Sequence, residues 1–286
     1  VTRVLSISSA GGSLEMGRSS GVFAKANVRG TGLPPVSLQW FEGAGNGKQY
    51  QGGRTLSRTI DLPIKIEGAD RSQVSDRFRQ VARILTLENA PVRLVAELDN
   101  EAWYVDCVRS GGGDFDWGVD TDGVTYVRTV ITVEAGSPYW ERVDAESRSI
   151  AAPGAGLGLL GPGVSLAQLQ LATTESMGQV EITNTGDVDA WPTWNLVGPF
   201  DGFTLASGSQ VLDWTGTIAA GGSILVDSLN GVITDDTGLN RYTGLAPSPR
   251  FWSVPPGSTL ATISLDNPTG ASRVDVTWHP RRLLVF

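Results

Sequence analysis

Residues 56–85 read "LSRTIDLPIKIEGADRSQVSDRFRQVARIL". Two periodicities follow one another along this stretch. Leu56, Ile60, Leu62, Ile64 and Ile66 share one parity, with polar residues mostly on the other, which is the pattern of a half-buried β-strand. Pro63 falls on the second parity, and a residue without a backbone N–H there predicts an edge strand or a bulge. The spacing then changes. Val74, Phe78, Val81, Ala82 and Leu85 recur at helical intervals. Asp70 or Ser72 is placed to cap the helix start, and Arg77, Arg79 and Arg83 fall on its outer face or later turns.

Strands flank this helix. Downstream, "VRLVAEL" (92–98) and "AWYVDCV" (102–108) are separated by "DNE", a hairpin signal. In "VTYVRTVITVEAG" (124–136), Val127, Thr129, Ile131 and Val133 define one face of a further strand. Strands, one helix and strands again predict an α+β unit, a sheet or split barrel packed on a single helix, over residues 1–145. A Gly/Pro-rich connector follows at 146–177. From 178 to 286, eight short segments end in turn residues at intervals of about ten, as in a two-sheet antiparallel sandwich of jelly-roll type. The fold class is therefore mainly β.

Bulk properties agree. The 286 residues include 36 glycines and 15 prolines, punctuation that suits many short strands better than long helices. A hydrophobic content of 40% and a mean hydropathy of −0.05 permit a sizeable core. The net charge of −8 opposes specific nucleic-acid binding, and Arg281–Arg282 is the one adjacent basic pair. The uncharged run 150–172 is long enough to span a bilayer, but its two prolines and five glycines would break such a helix, so no membrane insertion is expected. The first twenty residues lack the apolar stretch and cleavage pattern of a secretory signal. A single cysteine, Cys107, excludes an internal disulfide and reads as a small buried hydrophobe.

Four groups carry candidate chemistry. In "DFDWGVDTDG" (114–123), Asp120, Asp122 and Gly123 match part of a calcium loop, but Gly118 and Thr129 occupy positions that need ligands; the plainer reading is a polar hairpin turn. "DDTG" (235–238) contains the Asp-Thr-Gly of aspartic proteases at Asp236, yet that chemistry needs a second aspartate and the other copy, at 184–186, begins with Asn184. The polar Thr234 and Asp235 before it favour a β-turn. His279 is the lone histidine, beside Pro280, with no G-x-S-x-G serine to serve and too few partners for zinc. No catalytic residue, metal or cofactor is therefore expected. Nine tryptophans remain, among them Trp191 and Trp194 around Pro192. They read either as packing residues or as rings that stack on glycans.

The order of motifs resembles one family. "GNGKQYQGGRTLSRTIDLPIKIEGADRSQVSDRFRQVARIL" (45–85) and "LVAELDNEAWYVDCVRSGG" (94–112) are similar to the hairpin, Arg-bearing strand, helix and hairpin of the distal tail proteins of long-tailed siphophages, the Dit family. "VEITNTGDVDAWPTWNLVGPFDG" (180–202), "GGSILVDSLNGVITDDTGLNRY" (221–242) and "FWSVPPGSTLATI" (251–263) resemble its second domain, with Thr259 in place of the commoner asparagine. The connector lies outside the resemblance, and the minor tail proteins of actinobacteriophages are the nearest branch.

The resemblance implies a belt domain followed by a galectin-like sandwich. It also implies a structural virion protein, assembled in the host cytoplasm and placed at the distal end of the tail, whose homo-oligomer is a hexameric ring. Its partners would be the tail tube protein, the tail-associated hub protein, and receptor-binding proteins or host surface glycans at the periphery. On this reading Trp191 and Trp194 pack the sandwich, and Tyr126, Arg128 and Val130 of the long β-branched strand are expected at the subunit interface. The alternative is a free carbohydrate-binding protein with a β-sandwich head, in which Trp191 and Trp194 stack on sugars.

Overall fold

The structure, a computed structural model, describes residues 4–98, 101–115, 125–152 and 175–285. The chain divides into two compact units, residues 1–143 with 282–286, and residues 144–281.

The first unit contains β1 (Val4–Ser9), β2 (Gly12–Met16), β3 (Val22–Ala24), β4 (Val36–Phe41), β5 (Gln49–Thr55), β6 (Arg58–Glu67), α1 (Arg71–Leu85), β7 (Val92–Leu98), β8 (Glu101–Gly112), β9 (Tyr126–Ala135) and β10 (Trp140–Arg142). Its main sheet runs β2-β1-β7-β8-β9-β6-β3, with β10 on β8. The two end strands meet through a bridge between Gly17 and Val22, so the sheet is nearly closed into a barrel. Closure removes the unpaired edges that an open sheet presents.

The strand expected from the opening stretch is β6. Ile60, Leu62, Ile64 and Ile66 all point inward and are buried, with Ile7, Leu94, Val105, Ile131 and Val133 among their neighbours in one core. Pro63 sits opposite Val130 of β9. Its carbonyl faces the other side and accepts from Lys25 N at 2.8 Å. The missing N–H therefore falls where only a loop and the short β3 lie alongside, and the β6–β9 ladder continues past it.

Helix α1 starts as the sequence indicates. The Asp70 carboxylate accepts from Gln73 N at 2.9 Å while the Gln73 side chain accepts from Ala69 N at 2.7 Å. This reciprocal pair satisfies donors that a helix start leaves open. At the other end, Asn89 and Ser9 each donate to a terminal carbonyl, of Arg83 and Ile84, at 2.8 Å. The buried face is Val74, Val81, Ile84 and Leu85, with Phe78 half-buried. Ala82, expected on that face, is exposed, and Ile84 takes its place because the helix meets the barrel slightly rotated from the ideal stripe. Arg77, expected outside, folds back to donate to the Glu67 carbonyl.

One position on the core parity of β6 is not apolar. Arg58 is 1% exposed. Its Nε donates to Pro138 O at 2.9 Å, Nη1 to Gly30 O and Gly32 O at 2.8 and 3.0 Å, and Nη2 to Leu283 O at 2.6 Å. The guanidinium also lies 5.7 Å from the Trp140 ring centre. Its fork thus ties three separate backbone segments through carbonyl dipoles. Burial pulls its pKa down to about 10, which leaves it charged at neutral pH. Gly30 is required beside it: at φ +88° a Cβ there would meet Thr59 O at 2.0 Å.

The second unit contains β11 (Glu146–Ala151), β12 (Glu175–Ser176), β13 (Gly178–Asn184), β14 (Thr193–Val197), β15 (Phe200–Ser207), β16 (Gln210–Ile218), β17 (Ser223–Asp227), β18 (Val232–Asp235), β19 (Gly257–Asp266) and β20 (Arg273–Trp278). They form two sheets, β12-β11-β20-β14-β17-β18 and β13-β19-β15-β16, whose inward residues share one core. All neighbours are antiparallel except β11 with β12. The mainly β fold, with a one-helix α+β unit and a sandwich, is as the sequence predicts.

Two details differ from the expected layout. Residues 146–151, read as connector, form β11 and pair with β20 along its whole length. "ESRSIA" shows no alternation because only Ile150 of the six is buried. The last residues, 282–286, belong to the first unit, where Leu283 O reaches Arg58. Within the rest of the expected connector, Glu175–Ser176 form β12 on β11, while 153–174 lie outside the described residues.

Two stability measurements check these contacts. Asp70→Ala should cost about 1 kcal/mol and lower the melting midpoint of the first unit by a few degrees. Arg58→Met should cost about 3 kcal/mol, because four carbonyl groups lose their buried donor. Arg58→Lys should recover only part of that loss, since an ammonium has no planar fork to span the segments. Chemical denaturation reads both.

Candidate assembly surface

The proposed interface residues Tyr126, Arg128 and Val130 all lie on the outward face of β9; Arg128 and Val130 are exposed and Tyr126 is half-buried. The strand is not an edge in its second half, where it pairs with β6 on one side and β8 on the other. Its backbone there is used, and only side chains face out. Arg128 and Lys65 flank the Tyr126 ring at 5.0 and 5.1 Å, and Lys65 pairs with Glu67. Both cations lie within cation–π range of the ring. Elsewhere on the barrel, Arg93 grips Asp106 with two bonds of 2.8 Å and covers the Tyr104 ring at 3.9 Å.

The "QVEITNTGDVDAWPTW" region resolves into a local knot. Asn184 is buried at the end of β13. Its amide donates to Val188 O at 2.9 Å and Val254 O at 2.8 Å, and its carbonyl accepts from Gly186 N at 2.9 Å. A Cβ on Gly186 would meet Arg281 O at 2.4 Å, so the third residue of Asn-Thr-Gly is glycine for space. Pro192 immediately precedes β14, an interior strand, and its missing donor costs no ladder bond. Trp194 is 1% exposed and meets Trp252 edge-to-face at 5.2 Å. A ring enclosed in this way offers no face to a sugar, which removes Trp194 from the glycan-stacking reading. Trp191 is half-buried.

The remaining candidates fall into ordinary roles or outside view. In "DDTG" the buried acid is Asp235, not Asp236, which is exposed. The Asp235 carboxylate accepts from Thr237 Oγ1 at 2.6 Å, from the N–H groups of Thr237 and Leu239 at 3.0 Å, and from Arg241 at 2.8 Å. The Thr237 hydroxyl, with these other donors, holds its pKa down at about 2. This is a turn built around one anion. Cys107 is buried, donates to Val92 O at 3.3 Å, and burial pushes its thiol up to about 12, far from nucleophilic. His279 follows β20 and is half-buried. Asp120, Asp122 and Gly123 lie outside the described residues, while Thr129 is buried with its hydroxyl on Asp114 O at 2.6 Å. Arg282 stacks on Trp103 at 4.1 Å and pairs with Glu101 at 3.0 Å. Among the described residues, no group of three His, Cys, Asp or Glu side chains is placed to hold a metal, and no helix is long and apolar enough to cross a membrane.

The sequence reading passed over the most exposed apolar feature. Strands β4 and β5 form a two-stranded ribbon that pairs with no other described strand. Val36, Leu38, Trp40, Phe41 and Tyr50 on it are each about half exposed or more. The available signal was the Gly-rich turn "GAGNG" between two aromatic-bearing runs.

The fold, a nearly closed barrel with one helix followed by a two-sheet sandwich, is shared with solved phage proteins. Over 97% of this chain and 99% of the other, it superposes on the Dit protein (gp 19.1) of phage SPP1, described as a paradigm of the hub adsorption apparatus in phages that infect Gram-positive hosts, with a TM-score of 0.66 and 12% identity. It also matches a chain of the phage P2 baseplate in its activated conformation with calcium, over the full length of both chains, with a TM-score of 0.57 and 10% identity. The strontium form of that baseplate gives 0.56 and 10%. No family model and no curated protein matches the sequence.

The Asp235 turn has a pH signature. Its folded pKa lies below the ~3.9 of an unfolded aspartate, so its contribution is present above that value and is lost as pH falls from about 4 to about 2. Asp235→Asn should lower the melting temperature at neutral pH and flatten the acid limb over that window in a calorimetric pH series.

Proposed function

We propose that this chain is a structural distal tail protein of a long-tailed phage, a component of the virion at the tail tip. Its copies form a homo-oligomeric ring of six, joining the tail tube protein on one face to the tail-associated hub protein on the other. Receptor-binding proteins or host glycans attach outside. The observation that carries this reading is that both units, in order and across 97% of the chain, follow the architecture of the SPP1 Dit hub protein. Two further features support it. The barrel presents an outward patch that includes Tyr126, Arg128 and Val130. A net charge of −8 suits a protein beside a passage for DNA, because like charges keep the nucleic acid from sticking.

Imaging the purified protein by negative stain, with native mass measurement, tests the ring. Annular particles with six times the 30.3 kDa chain mass are expected. Solitary molecules, even beside neighbouring tail components, would overturn the reading.

A further inference from the structure

We infer that the β4–β5 ribbon of one copy seats in an apolar groove at the barrel mouth of the next copy; the inference rests on the ring reading and names the contact that builds it. Leu33 at the ribbon's base and Val36, Leu38, Trp40, Phe41 and Tyr50 along it are 48–72% exposed. A fully buried aromatic side chain covers ~150–250 Å², so these half-exposed residues present on the order of 500 Å² of apolar surface. That is at the upper end of what a monomer leaves uncovered, and over half of the ~800 Å² one partner contributes to a standard interface. An isolated two-stranded ribbon is only marginally stable in water, and both outer backbone edges of this one pair with no described strand. The ribbon therefore has both the apolar surface and the open backbone of an arm made to be covered.

The same unit carries a matching hole. A cavity of about 350 Å³ opens at the barrel mouth among Leu5, Met16, Ala24, Val28, Ala96 and Leu98. A cavity of roughly 150 Å³ accepts one benzene ring, so this one accepts two. Trp40 and Tyr50 already meet edge-to-face at 5.5 Å and form a two-ring plug. The ribbon's turn carries one paired acid and base, Glu42 and Lys48, with Arg54 further along β5, and the groove rim carries Glu97 and Lys25, so the net charge on each side is small. No ribbon residue lines the groove, so knob and hole do not meet within one chain. A knob and a hole on different surfaces of one molecule make a head-to-tail contact, the kind that closes into rings. This makes a second copy the occupant.

Two variants test the seat without touching the core. Trp40→Ser with Tyr50→Ser removes the plug from an exposed ribbon, and Ala26→Trp fills the groove from an exposed position on its lining. Each should weaken self-association about 30-fold or more in sedimentation, with circular dichroism and melting unchanged. Mixed together, each variant keeps one competent face, so the mixture should form heterodimers and nothing larger. Annuli that persist in either variant would overturn the seat and leave the ring reading standing. Wild-type dimers or open filaments that both variants abolish would support the seat and refute the ring. A mixture that stays monomeric, or a wild type that never associates, would refute the seat.

Discussion

Arg58 is the constraint around which the first unit is organised. It occupies a core parity of β6, where every other position is aliphatic, and carries a charge into a site without a carboxylate among its described partners. A buried cation is tolerable only when its donors are all met. Here the backbone does that, with carbonyls from Gly30, Gly32, Pro138 and Leu283 converging on one planar fork. The chain leaves the barrel for the ribbon just after Gly32 and returns at Arg58 itself. The same side chain therefore pins the base of the arm, the approach to β10 and the returning end of the chain.

The two units solve burial differently. The barrel closes on itself through the Gly17–Val22 bridge and plugs its interior with branched aliphatics and one helix. The sandwich relies on large rings: Phe203 stacks on Trp214 at 5.5 Å and Trp194 meets Trp252. Its polar ties sit at turns, where Asn184 and Asp235 each gather several backbone groups. The Asp-Thr-Gly run belongs to this turn chemistry, and Trp194 to the ring packing.

The described titratable groups with shifted pKa values serve structure: Arg58 joins segments, Asp235 holds a turn, Cys107 fills the core, and Tyr104 donates to Glu141 at 2.6 Å. The outward face of β9 and the unpaired ribbon carry the exposed residues on which the proposed contacts rest.

The sequence by itself determined the elements with strong periodicity: β6 from alternating isoleucines, α1 from its spacing and Asp70 cap, and the sandwich from regularly spaced turns. Local physics suffices there, since period and capping act within a few residues. It did not reveal β11, whose "ESRSIA" buries a single side chain and becomes a strand only because β20 offers a partner. Nor did it separate Trp194 from Trp40: one is enclosed and the other half exposed, and both are tryptophans in strand-like surroundings. Burial depends on which distant segments fold over a residue. That is decided by long-range pairing, as is the fate of Arg58, whose sequence position says strand and whose partners lie up to 225 residues away.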